Sequence, residues 1–280
     1  MTDVTPDILV MQKSPHDERD FLYDQICAEH PPLPKTFSLR ENMFPVRQQG
    51  QQGSCVAQTL AAIQEYNNQG DILLKGHLSP QFIYDCRPRN IRGMNCRSAM
   101  KFLHQHGVPL EKTHPYRNNT TDIKPKGLVN FQRFIKDEAY VYRTENYAQV
   151  LTVYDLKNAI YNDGPCLISV PVYGKIVLSS SKKPKYRTDV DMWQKKNGYQ
   201  KVGGHAMTVV GWDLNGFIIR NSWGPSWGNR GHCNFPFNAW GRQYEVWSAV
   251  DHINSSFVKP NLKDSIADKV KKCLDSKRWG

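Results

Sequence analysis

GGHAMTVVGWDLNGFIIRNSWG, residues 203–224, carries the clearest structural pattern in the chain. Residues 206–212 and 217–220 are dense in β-branched and aromatic side chains, and residues 213–216 between them carry turn chemistry, so the segment reads as an antiparallel hairpin. His205 begins the first strand and Asn221 ends the second, which brings an imidazole and a carboxamide to one end of the hairpin. A carboxamide there fixes the tautomer of the ring and aims it. Trp223 and Trp227 follow at once, placed to cover that hydrogen bond and keep water away.

An aimed imidazole suits a nucleophile, and QQGQQGSCVAQ, residues 48–58, presents one. The thiolate is the reactive form of cysteine, and a helix N-terminus with a nearby imidazolium favours it. Residues 55–69 are rich in Ala, Leu, Gln and Glu and run to Gly70, a natural C-cap, so Cys55 opens a helix with Ser54 as its expected N-cap. Gly50 and Gly53 let the backbone turn tightly before it. Gln49 carries a side-chain NH2 that, with the Cys55 backbone N–H, makes a donor pair for an oxyanion. Cys55, His205, Asn221 and Gln49 are thus the parts of a cysteine acyl-transfer site.

The rest of the chain sorts into two halves. Residues 98–106, ending at Gly107, repeat the helical pattern, while 166–172 join the hairpin as strand. A helical lobe followed by a β-rich lobe predicts an α+β protein with a cleft between them. Residues 1–32 read as a polar extension with a short amphipathic turn at Phe21–Tyr23, residues 33–257 as the folded domain, and 258–280 as a basic amphipathic tail with Ile266, Val270 and Leu274 on one face.

Composition removes several other classes. Hydrophobic residues make up 39% of the 280 and charged residues 22%, ordinary for a globular enzyme. No apolar run is long enough for a membrane span, and the N-terminus lacks a basic start followed by an apolar stretch, so cytoplasm or another reducing, non-secretory compartment is expected. The net charge of +11 gathers in clusters, Lys182, Lys183, Lys185 and Arg187 in one loop and Lys269, Lys271, Lys272, Lys277 and Arg278 in the tail. Neither carries a nucleic-acid motif, so a solvated basic face is expected and no specific nucleic-acid partner. The seven cysteines have no framework spacing, and Cys86 and Cys96 with the downstream histidines form no CxxC or HxxxH pair, so no metal and no cofactor are expected. Asn118, Asn119 and Asn254 fit the glycosylation triplet but read as polar loop residues without a secretory route.

QxGxxGSC, GGHAMTVVGW and IIRNSWGPSWG resemble, in the same order, the three signature segments of the papain-like cysteine peptidases (family C1). Weaker matches at Leu33-Pro34, at Leu78-Ser79-Pro80-Gln81 and from Gly107-Val108-Pro109 to His114-Pro115-Tyr116 extend the resemblance over most of the chain. It implies a two-lobed papain-like fold and a cysteine endopeptidase that acts on protein or peptide substrates through an acyl-enzyme. It makes Cys55 the nucleophile, His205 base and acid, Asn221 the orienting residue and Gln49 the oxyanion donor. It also implies a selectivity pocket walled by Asn95, Cys96, Pro171 and Ala206, with Trp223 beside it.

The sequence departs from this family in places. Gln52 stands where secreted relatives carry a disulfide cysteine, and Val56 where an aromatic residue usually follows the nucleophile. A loop held by packing and hydrogen bonds is the expectation, in keeping with a reducing compartment. Residues 1–32 are shorter than the long helical pro-segment of lysosomal relatives, and they are expected to lie along the cleft as a short pro-segment. Two other functions use similar parts: a transglutaminase-like acyltransferase, whose acyl-enzyme is resolved by an amine, and a silent homologue kept as a binding module.

Overall fold

The computed structural model describes residues 1–26, 31–69, 74, 76–89, 91–117, 124–177 and 184–250. Cys27, Gly70, Asn118, Asn119, Lys182, Lys183, Asn254 and the tail 258–280, with its expected helix and Cys273, lie outside the described residues. In chain order the elements begin with β1 (Thr2–Val4), α1 (Tyr23–Ile26), β2 (Phe37–Ser38), α2 (Cys55–Asn67), α3 (Pro80–Asp85), α4 (Cys96–His106) and α5 (Arg133–Val141). They continue with β3 (Asn146–Gln149), α6 (Val153–Asn162), β4 (Cys166–Val177), β5 (Lys185–Thr188), β6 (Gln200–Trp212), β7 (Gly216–Arg220), β8 (His232–Pro236) and β9 (Glu245–Val250). The helix-then-strand division follows from the sequence pattern: long straight-chain residues in α2 and α4, β-branched and aromatic residues in β4, β6 and β7.

Helix α2 forms the spine of the first lobe. Leu60 and Ile63 bury against Leu78, Ile83, Met100, Leu103 and Val108 from α3, α4 and their connections. Ser79 accepts from the Phe82 backbone N–H to cap α3, and Asn95 does the same for α4 through Ser98 N. Gly107 ends α4 at φ +68°, where a Cβ would meet the Ala139 carbonyl oxygen at 1.9 Å, so only glycine closes that turn against α5.

The second lobe is an antiparallel sheet running β1-β5-β4-β6-β7-β8, with β2 on the far end of β6 and β9 bridging β4 to β3. One face buries Ile168, Val170, Val209, Trp212, Phe217, Ile219 and Phe235 in a second core. Leu167, Ala206, Trp247 and Ala249 face the other way and complete the helical core. The alternation of strand side chains thus lets one sheet serve both lobes.

Strand β6 begins at Gln200, five residues ahead of His205, so the histidine sits inside the strand and not at its start. The cause is β4, whose partner residues Val172 to Gly174 continue the ladder with Gly203, Lys201 and Gln200 beyond the hairpin. Helix α2 ends at Asn67, with Asn68 in the cap position.

The extension is part of the packed structure. Its β1 adds to the β5 edge in the register Asp3↔Arg187. Its apolar residues divide between the two cores: Val4, Ile8, Leu9 and Tyr23 join the sheet core, while Met11 joins the helical core. Phe21 of the expected amphipathic turn is exposed, and Tyr23 is the member that buries, its hydroxyl donating to Asp163 Oδ2 at 2.6 Å.

Candidate active site

Two backbone ties bring the distant segments together. Gln48 pairs as an antiparallel bridge with Trp223, supported by Gln49 N–H to the Ser222 carbonyl at 2.8 Å and Gly224 N–H to the Arg47 carbonyl at 2.9 Å. The loop before Cys55 is therefore stitched to the segment after Asn221. Arg47 holds the loop from behind through Glu65 on α2 and Glu111, both at 2.5 Å. The Ser222 hydroxyl donates to Gln49 Oε1 at 2.7 Å, which fixes that side chain.

His205 and Asn221 meet as the hairpin predicts. The imidazole Nε2 lies 2.7 Å from Asn221 Oδ1, and with an amide oxygen as acceptor this nitrogen carries the hydrogen. The other ring nitrogen, Nδ1, is buried without a hydrogen-bond partner. Trp223 lies over the ring at 4.6 Å between centroids, and Trp227 meets Trp223 edge-on at 5.9 Å. Trp223 therefore covers the imidazole.

Cys55 is fully buried at the first position of α2. Burial pushes its thiol up to about 11, while the backbone N–H groups of Ala206, Val56 and Cys55 itself pull the other way. Ala206, directly after His205 in sequence, packs in one cluster with Cys55, so β6 brings the histidine's strand against the start of α2. Burial likewise lowers His205 to about 4, against the opposing hydrogen bond from Asn221. Burial thus disfavours charge on both groups in this arrangement. Ser54 departs from expectation: it makes no side-chain cap, and its hydroxyl pairs with Tyr116 Oη at 2.6 Å.

Gln49 is buried, and its amide NH2 donates to the Gln52 carbonyl at 2.9 Å, which uses one of its two hydrogens. Gln52 is buried too. Its amide donates to Gln81 Oε1 at 3.0 Å and to the Arg117 carbonyl, and Gln81 in turn donates to Asp85, which holds Arg117 and His114. A chain of hydrogen bonds holds the loop at Gln52, in keeping with the expectation of a loop without a disulfide. Cys55, Cys86, Cys96, Cys166 and Cys233 are all free thiols.

The pocket residues of the sequence reading surround one track. Asn95 and Cys96 open α4, Pro171 lies on β4 opposite Gly204, and Ala206 follows His205. The extension occupies this track. Val10 forms a parallel bridge with Gly204, and Gln12 one with Asn95. Gly204 N–H donates to the Leu9 carbonyl at 3.0 Å, and Gln12 N–H to the Met94 carbonyl at 3.3 Å. The Val10 side chain presses on Gly53, where a Cβ would stand 2.2 Å from its Cγ2. Residues 9–12 therefore pass between Gly53, two positions before Cys55, and Gly203–Gly204, just before His205.

Glu245 is a site residue that sequence reasoning missed. It is buried beside Cys96, one oxygen accepting from Trp247 Nε1 at 2.8 Å and the other from Ser14 N–H of the extension at 2.9 Å. A lone glutamate opening the strand EVWSAV carries no motif, and only the pairing of β9 with β4 reveals it.

Residues 33–246 match the family model described as papain family cysteine protease. The chain belongs to this family. As a papain-family member it is a cysteine-type peptidase, a hydrolase, with the two-lobed α+β fold of that family. It is 30% identical to zingipain-2 of Zingiber officinale over 214 residues, 71% of this chain and 86% of the relative. Its fold is similar to that of xylellain, a cysteine protease from Xylella fastidiosa, with a TM-score of 0.69, 24% identity, and coverage of 89% and 97% of the two chains. Digestive procathepsin L 3 of Tenebrio molitor larval midgut shares the fold at a TM-score of 0.61 and 19% identity, over 87% and 77%.

Proposed function

We propose that this papain-family peptidase is an endopeptidase whose nucleophile is Cys55 and whose own residues 1–26 restrain it by occupying the cleft. The observation that carries the reading is the His205–Asn221 pair at 2.7 Å, which leaves the buried Nδ1 unpartnered on the strand whose next residue, Ala206, packs in one cluster with Cys55. With the extension withdrawn, water and the helix N-terminus favour the ion pair, and the Cys55 proton passes to His205 Nδ1.

The thiolate then adds to the scissile carbonyl carbon, and the carbonyl electron pair moves to oxygen. That oxyanion accepts from Cys55 N–H and the second hydrogen of the Gln49 amide. Collapse expels the amine, which takes the proton from His205, and leaves a thioester on Cys55. Water attacks the thioester while His205 accepts its proton, and departure of the sulfur releases the acid. Asn221 keeps the ring aimed throughout, as the amide oxygen is an acceptor for Nε2–H in both charge states.

Asn95, Cys96, Pro171 and Ala206 wall the track in this reading. The Met11 side chain, packed in one cluster with Cys96 and Ala206, supports a pocket there for an apolar group. The free thiols and the Gln52 hydrogen bonds suit a reducing, non-secretory compartment such as the cytoplasm. Fractionation of the source cells checks this, and recovery in the secreted fraction is the contrary outcome.

The test of the activity is cleavage of an internally quenched peptide, with the products identified by mass. Cleavage at an internal bond, abolished in Cys55→Ser and in His205→Ala, is expected. Turnover that survives Cys55→Ser removes the proposal.

A further inference from the structure

The extension differs from the body in charge. Residues 1–26 hold Asp3, Asp7, Asp17, Glu18, Asp20 and Asp24 against Lys13 and Arg19, a net −4, whereas the whole chain carries +11, so the remainder carries +15. These carboxylates are placed along the track. Asp3 meets Arg187 on β5 at 2.9 Å, and Asp7 meets Arg92 at 3.0 Å. Asp20 meets Arg97 on α4 at 2.6 Å, with Asp17 3.8 Å from the same guanidinium. The arginines flank the stretch 9–12 that passes Cys55 and His205, Arg187 and Arg92 before it and Arg97 after it.

The backbone contacts of this segment are of the kind any extended peptide makes. They are a strand added to the β5 edge and hydrogen bonds to Gly204 N–H and the Met94 carbonyl. Whatever replaces the extension inherits three guanidiniums that stay charged at all working pH values. Glu245, the acidic group near the track, is directed at Trp247 Nε1 and a backbone N–H, and does not cancel the arginine rim.

We propose that the cleft selects peptides with acidic residues on both sides of the scissile bond, and that the extension is a built-in copy of that charge pattern. This rests on the peptidase reading above. It assigns Arg92, Arg97 and Arg187 as specificity residues: each pairs with a substrate carboxylate in place of Asp7, Asp20 or Asp3.

The test uses two internally quenched peptides that share a central cleavable core and differ only in the flanks, Asp and Glu in one, Asn and Gln in the other. The enzyme is the full chain carrying Val10→Trp, since the Val10 side chain already presses on Gly53 and an indole there has no room, which frees the cleft. If that variant does not fold, the unmodified chain serves, because the ratio of the two kcat/KM values is independent of the fraction of open enzyme.

The acidic peptide is expected to be cleaved with a kcat/KM about three- to tenfold higher at low salt, with the ratio falling toward one near 0.5 M salt. Arg97→Gln and Arg187→Gln each lower the ratio. An equal or faster rate for the neutral peptide, or a ratio untouched by salt and by both substitutions, overturns the proposal while leaving the peptidase intact. Cleavage of neither peptide overturns the peptidase reading itself, and this inference with it.

Discussion

His205 and Cys55, the proposed catalytic pair, show what burial does to ionisable groups. In the covered arrangement His205 is lowered to about 4 and Cys55 raised to about 11, both by loss of water, so the neutral forms are held. The sign for the covered state follows from linkage. A histidine whose pKa is depressed by covering favours the covered state above its ordinary value near 6.5, and this preference is lost as pH falls toward 4. Asp3, lowered first by its hydrogen bond to Arg187, acts in the same direction at still lower pH. The full chain is therefore expected to gain activity relative to Val10→Trp as pH falls from 6.5 to 4, and a ratio constant over that window contradicts the linkage. Asn221→Ala is expected to lower kcat/KM by about 10- to 100-fold and to shift the pH profile, since it frees the ring that Asn221 orients. Gln52→Ala leaves Gln81 Oε1 and the Arg117 carbonyl short of a donor, a loss of about 1–3 kcal/mol to be read from urea unfolding. The proposed catalytic residues could be named from the sequence because each stands in a motif with a fixed chemical task. Glu245 was not, because its role arises only when β9 pairs with β4 and the extension offers Ser14 N–H.

Helices and strands set these residues with few devices. The hairpin of β6 and β7 turns at Asp213, whose carboxylate accepts from Asn215 N–H at 2.7 Å and Gly216 N–H at 3.0 Å, a turn written in the residue types. Its register carries His205 and Asn221 to one end, as the sequence predicts. The start of β6 was hidden, because the continuation to Gln200 depends on pairing with β4, a contact distant in sequence. Ser54 was misread for a similar reason: a good N-cap residue gives up its capping role when Tyr116 from another loop takes its hydroxyl. Gly107 is the plainest case of local necessity. Gly107→Ala combines a left-handed φ with a 1.9 Å approach to the Ala139 carbonyl, and is expected to cost at least about 1 kcal/mol of stability in urea unfolding, whereas a neutral outcome would show that α5 shifts freely.

Across the whole molecule, the extension ties the lobes together. The sequence draws attention to Phe21–Tyr23 as the apolar part of residues 1–32, and Tyr23 does bury, but Val4, Ile8, Leu9 and Met11 enter the two cores as well. They carry no periodic pattern, since the segment is short extended pieces around a single 3-10 turn at Pro6–Ile8 and borrows its burial from walls built elsewhere in the chain. Three arginines then clasp its carboxylates, and Arg97 with Asp20 is the most buried of these pairs, the side chains 17% and 10% exposed. Cys55, aimed by His205, is the proposed nucleophile, and the extension is proposed to cover it. The direct measurement is the rate at which a peptidyl epoxide alkylates the full chain, with the adduct mapped by mass. A single adduct at Cys55 is predicted, formed faster in Val10→Trp and lost in His205→Ala. An adduct on another cysteine, or labelling of Cys55 that is indifferent to both substitutions, contradicts the account.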